Sequence, residues 1–319
     1  MDIFLNDKLQ MLEVVIELEA ESPIIWNSFP GSVVHGALGF TVKRRCCVTK
    51  DGNCEGCDFQ NGCVYTKLFE SRTPIDSSRM RKYPRIPPGL RLTINPSVNK
   101  QIRQGDILTL GLILFGNTAD TITSLLLSIE DAFRQGIGRK TVKDERGKAF
   151  IRTIKAVSGN EFLLSDIDFT GQFPIPATKW SDIEIPLSKS ICLNFTSHAR
   201  IVSNGKVSGN PTFRDIFSTV LRRVTNIAYF YCDVEFDIDF KALLEKANLV
   251  EVESHFHRTD LSRYSARQRN KIDLDGITGE FTIHDCPEEI LPWLAIGSRL
   301  GIGKNTSMGM GCYNLSKEP

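Results

Sequence analysis

Gly136-Ile137-Gly138-Arg139-Lys140-Thr141 and Gly301-Ile302-Gly303-Lys304-Asn305-Thr306 are two versions of one short pattern: a glycine pair around isoleucine, then a basic residue. Each follows a helical pattern. Ile122, Leu125, Leu126, Ile129 and Phe133 recur at helical spacing behind an Asn117-Thr118 cap and stop at Gly136. Asp285 and Glu288 have capping-box spacing for a second helix running through Leu300.

Working outward, each half shows a similar order. Met11 to Ala20 reads as a strand, and Pro30-Gly31-Ser32 opens a helix to about Cys46. Ile107 to Phe115 and Ala149 to Val157 read as strands on either side of the helix that ends at Gly136. In the second half, Ser190 to Thr196 is a strand pattern. Asn210-Pro211 then starts a helix with Phe213, Ile216, Phe217, Val220, Leu221 and Val224 on one face. Strands are expected at Tyr231 to Phe236, Val250 to His257, Ile277 to His284 and Gly311 to Leu315. The order predicts an α+β fold of two tandem ferredoxin-like (RRM-like) βαββαβ domains, residues 1–182 and 183–319. A cysteine-rich insert is expected in the first, at about residues 46–65.

The glycine-rich loop is no nucleotide fingerprint. A dinucleotide motif follows a first strand and opens a helix, whereas this loop follows a helix and precedes the last strand. Asn305 after Lys304 breaks the phosphate-loop pattern. Bare amides at Gly301 and Gly303 beside Lys304 and Ser307 suit an RNA phosphate chain. The same glycines also serve a tight turn with positive φ.

The 319 residues carry 39 Lys+Arg against 38 Asp+Glu and are 41% hydrophobic, which excludes a disordered or strongly basic chain. The longest near-unbroken apolar run, Ile107 to Phe115, is about half of a ~20-residue membrane span. Met1 to Gln10 contains Asp2, Asp7 and Lys8 and does not read as a signal peptide, so a soluble, cytoplasmic protein without membrane partners is expected. Basic residues cluster around 79–91, 134–152 and 258–271. Each cluster alone reads equally as a solvated face; converging, they would favour a polyanion.

Four stretches carry a family resemblance. They are Phe29-Pro30-Gly31-Ser32-Val33-Val34-His35-Gly36-Ala37-Leu38-Gly39, the cysteine segment from Cys47 to Tyr65 with Leu68-Phe69-Glu70, the stretch from Ser262 to Gln268 with Gly276 to Glu280, and Leu300 to Gly311. Together they resemble the CRISPR-associated endoribonucleases that process precursor crRNA, members of the repeat-associated mysterious protein (RAMP) superfamily. The resemblance implies a metal-independent cut in CRISPR repeat RNA. A 2′-hydroxyl attacks the adjacent phosphate, leaving a 2′,3′-cyclic phosphate and a 5′-hydroxyl. It also implies association with other Cas proteins of an effector complex. A non-catalytic crRNA-binding subunit of such a complex is the alternative.

Such chemistry needs a proton-transfer group and cations, and histidine suits it near neutral pH. His35 is the leading residue, on a face with Gly39 that leaves the helix approachable; Lys43 and Arg44 are placed to reach phosphate. A packed core histidine is the other reading of His35. His255 and His257, alternating on one strand, are its rivals, and His198 ranks below them. Arg263, Tyr264, Arg267 and Gln268 combine cation, stacking ring and amide, a mix suited to RNA. An exposed hairpin with solubilising arginines is the plainer account.

Cys47, Cys54, Cys57 and Cys63 place four thiols in seventeen residues. They fit a closed tetrahedral zinc site of structural type; an iron–sulfur cluster or free thiols use the same residues. Four thiolates leave no open position, so no catalytic metal is expected. Cys46 is a substitute for Cys47 as first ligand.

Overall fold

The computed structural model describes every residue except 1–3, 27–28, 50–51, 95–100, 143, 158, 169–172, 187, 189, 266–269 and 318–319. The side chains of residues 263–265 are likewise not described. Two compact units emerge: Gln10–Thr178, and a second formed by Met1–Leu9 together with Lys179–Pro319.

The first unit begins with β1 (Gln10–Ala20) and α1 (Pro30–Cys46), followed by a short α2 (Val64–Phe69). Then come β2 (Leu90–Ile94), β3 (Ile107–Phe115), α3 (Ile122–Gln135) and β4 (Ala149–Ala156). The antiparallel sheet runs β2-β3-β1-β4, with the two-residue strand Glu161–Phe162 beyond β4. That is the strand order of a ferredoxin-like fold. Register follows the two-residue period of the apolar side chains. Leu12, Val14, Ile16 and Leu18 of β1 lie opposite Leu114, Leu112, Leu110 and Leu108, and all eight are buried. Val34, Leu38 and Val42 of α1 and Leu125, Leu126, Ile129 and Phe133 of α3 complete this core.

The second unit repeats the plan. It contains β5 (Ile191–Ala199), α4 (Phe213–Cys232), α5 (Phe240–Asn248) and β6 (Val252–Thr259). The hairpin β7 (Ser262–Ser265) and β8 (Asn270–Asp273) leads to β9 (Gly276–Ile283), α6 (Leu291–Leu300) and β10 (Tyr313–Lys317). The antiparallel sheet runs β6-β9-β5-β10, the same order as in the first unit.

The two glycine patterns do the same mechanical job. In the first unit the Arg139 amide donates to the Ile25 carbonyl at 2.7 Å. In the second, the Lys304 amide donates to the Arg200 carbonyl at 3.1 Å. Both acceptors lie just beyond the first strand of their unit. Gly138 and Gly303 have φ of +84° and +85°, and a Cβ would stand 2.5 and 2.6 Å from those same carbonyl oxygens. The echo is therefore a shared docking of the late loop on the first strand's exit.

Some expected elements differ. Tyr231 and Cys232 finish α4 rather than starting a strand, and Asp233 turns left-handed with φ of +53°. The cap of α4 is Thr212, whose hydroxyl accepts from the Asp215 amide in a capping box. Asp285 takes φ of +45°, so α6 begins only at Leu291, with Pro292 in its first turn.

Candidate nucleic-acid interface

Arg200 organises one end of the second unit. Its guanidinium donates to the carbonyls of Asp273 and Asp275 at 2.7 and 2.9 Å and to the Asp275 carboxylate at 2.8 Å. Arg258 lies 3.6 Å from the same carboxylate. These bonds fasten the root of the β7–β8 hairpin. The Arg200 carbonyl meanwhile holds the glycine-rich loop through Lys304, and the Gly311 amide donates to the His198 carbonyl at 2.8 Å. Arg223 adds a bond to the Leu300 carbonyl at 3.3 Å, where α6 enters the loop. Hairpin and loop thus share one scaffold.

Within the loop, Lys304 is exposed, Gly303 half-buried, and Gly301 and Ser307 buried, the serine at 6% exposure. Lys304 is the loop's outward cation. Arg263 and Tyr264 lie on β7 opposite Ile272 and Lys271; Arg267 and Gln268 lie outside the described residues. His255 and His257 are exposed on β6, an outer strand, opposite Glu280 and Thr278. His198 is half-buried in β5, and burial lowers its pKa from the usual 6.5.

In the first unit, α1 and α2 build a stack of rings. The His35 ring meets Phe69 edge-on at 5.1 Å between centroids, and its Nε2 is buried. Phe69 stacks on Tyr65 at 5.8 Å, and the Lys43 ammonium lies 5.0 Å from the Tyr65 centroid while donating to the Gly52 carbonyl at 2.5 Å. Gly39 does not leave α1 approachable on this flank, because a Cβ there would meet Phe69 at 3.4 Å. The open glycine is Gly36, with no heavy atom within 4 Å of its Cβ position. Arg44 donates to Gln135 at 2.8 Å. The structure therefore groups His35 with Lys43, and Lys304 with the hairpin, in separate units.

Cys46, Cys47, Cys54, Cys57 and Cys63 are all half-buried and in no disulfide. Cys46, Cys54 and Cys63 pack against the first core, and Cys47 lies 3.5 Å from the Thr49 hydroxyl. Burial and then the neighbouring Cys63 raise the Cys46 pKa. Among the described residues, no three His, Cys, Asp or Glu side chains form a group able to hold a metal ion. The donor chemistry of these thiols suits zinc. Cys286, by contrast, is a buried thiol pushed up to about 12 by desolvation. No helix of the described residues is long and apolar enough to cross a membrane.

Sequence reasoning missed Arg200, Phe69 and Tyr65 as organisers. An arginine just after a strand matches no motif, and the two rings show themselves only once α2 lies against α1.

The chain is thus a pair of ferredoxin-like units, the second carrying a hairpin and a glycine-rich loop on one scaffold. Residues 9–169 match the family model AF_1859_N, an N-terminal domain, and residues 193–313 match the model of the CRISPR-associated endoribonuclease Cas6. The chain belongs to the AF_1859_N family through half its length, and its second unit carries the segment that matches the CRISPR-associated endoribonuclease Cas6. No curated protein matches it. Among solved structures, it is similar to Thermus thermophilus Cas6 (TTHB231) at 17% identity, covering 96% of this chain and 98% of that one, TM-score 0.53. The Cas6 (TTHA0078) product complex matches at 15% identity over 97% and 100% of the two chains, TM-score 0.52. A partial Cas6-RT-Cas1–Cas2 complex matches at 13% identity over 97% of this chain and 46% of that one, TM-score 0.56. Identities this low speak to the fold.

Proposed function

We propose that this protein cuts CRISPR repeat RNA in precursor crRNA without a catalytic metal. Residues 193–313, the Cas6-type segment, support the RNA-cleaving reading most directly, since they contain the hairpin, Arg200 and the glycine-rich loop. The 2′-hydroxyl forms a bond to phosphorus as the bond to the 5′-oxygen breaks. A base takes the 2′ proton and an acid returns one to the leaving oxygen, giving a 2′,3′-cyclic phosphate and a 5′-hydroxyl. His35 is the proposed proton-transfer group, with Lys43 as a nearby cation for the developing charge. His257 is the exposed rival. Arg263, Tyr264, Arg267, Gln268, Gly301, Gly303 and Lys304 are the proposed RNA contacts, and other Cas proteins the proposed assembly partners. Ser307, in the same loop, is proposed with these RNA contacts. A structural zinc at the cysteine segment belongs to the same proposal, and no step depends on it.

The packing of His35 against Phe69 favours one competing reading, an RNA-binding subunit that does not cut. Incubation with a repeat transcript in EDTA, followed by end-group analysis, separates the two. Undiminished cleavage with cyclic-phosphate ends is expected. His35→Ala should retain binding and slow cleavage by about 10²–10⁴-fold, the usual worth of a positioned acid or base. Tight binding without any cleavage by the parent protein would establish the subunit reading instead.

A further inference from the structure

Gly36, Phe40 and Arg44 stand one turn apart on α1, on the side away from buried Val34, Leu38 and Val42. Phe40 is 67% exposed in the middle of this helix. An isolated exposed ring needs no explanation by itself. Its two neighbours give this one a setting. The Arg44 guanidinium lies 5.8 Å from the ring centroid, and Gln135 holds it there by a 2.8 Å hydrogen bond. One turn in the other direction, Gly36 leaves open space. The helix sequence contains no carboxylate, and its last turn brings Lys43, Arg44 and Arg45.

A flat ring with a held cation on one side and clear room on the other has the chemistry of a nucleobase platform. Every base offers a face for stacking, and guanidinium adds attraction for the adjoining phosphate. A protein partner would favour a broader apolar surface than one ring beside a guanidinium. We propose that Phe40 stacks on one unpaired base of the bound RNA while Arg44 contacts its phosphate. His35, the proposed proton-transfer group, is the chain neighbour of Gly36. This rests on the RNA-processing reading above.

The test is binding and single-turnover cleavage of a repeat RNA carrying 2-aminopurine at its unpaired positions. The variants are Phe40→Ala, Phe40→Trp and Gly36→Leu. Phe40→Ala should weaken binding by about 5- to 150-fold, the range of one lost base–aromatic stack, and abolish quenching at one position. Phe40→Trp should restore both. Gly36→Leu keeps the ring but fills the space, and should reproduce the loss. Parent protein that neither binds nor cuts the repeat overturns the RNA-processing reading and this proposal with it. Normal parent activity with Phe40→Ala indistinguishable from it overturns the stacking proposal alone, and leaves the ring to a protein partner.

Discussion

His35 shows how one residue can satisfy two demands. Its edge-on contact with Phe69 fixes the ring plane, which both a packed imidazole and a positioned proton carrier require. The thiols next door pose a sharper question. Cys54 and Cys57 have the two-residue separation of a zinc knuckle, yet Cys54 packs on the core with Cys46 and Cys63. Elemental analysis of purified protein should find about one zinc per chain, and Cys57→Ser should lose it together with soluble yield, because binding energy in such sites is folding energy. A parent chain free of zinc, or one with an iron–sulfur absorption band, would end the assignment.

Among elements, the hairpin and the glycine-rich loop are held through opposite ends of one residue, the Arg200 side chain and its carbonyl. Arg200→Ala should therefore weaken RNA binding without touching RNA, and its effect should be less than additive with Lys304→Ala. Residues sharing one network show coupling energies of about 0.5–3 kcal/mol. Additive losses in a double-mutant cycle would show that the two motifs act independently. Much of this architecture could be read in advance. The alternation of Met11 to Ala20, the run from Ile107 to Phe115 and the helical spacing before Gly136 each depend on local burial alone, and all three agree with the structure. Where the reading failed, a longer-range effect decided. Tyr231 continues the buried face set by Val224, Ile227 and Ala228, so α4 extends until Asp233 turns it. Leu90–Ile94 is a strand because β3 pairs with it, in spite of Pro87, Pro88 and Pro96 on either side. Lys304 was legible as an exposed cation in a glycine-rich loop. Arg200 was not, since its partners are carbonyls that sequence does not display.

For the whole molecule, the second unit is discontinuous. Phe4 is buried among Trp293, Phe236 and Trp180, with ring centroids 4.9, 5.4 and 6.3 Å away. The Trp180 amide donates to the Leu9 carbonyl at 2.8 Å, and Lys179 pairs with Asp7 at 2.6 Å. Phe4→Ala should cost about 3–5 kcal/mol, the usual range for a buried aromatic truncated to alanine. Chemical denaturation followed by tryptophan fluorescence would measure it, and an unchanged midpoint would refute the anchoring role. This same arrangement has a consequence for synthesis. Translation delivers Phe4 to the ribosome exit before any of the first unit, whereas Trp180, Phe236 and Trp293 emerge only after it. The first unit has its own core and can form in that interval. The segment before it must wait with an apolar ring uncovered, so completing the second unit is a late, long-range closure rather than the propagation of a structure already begun.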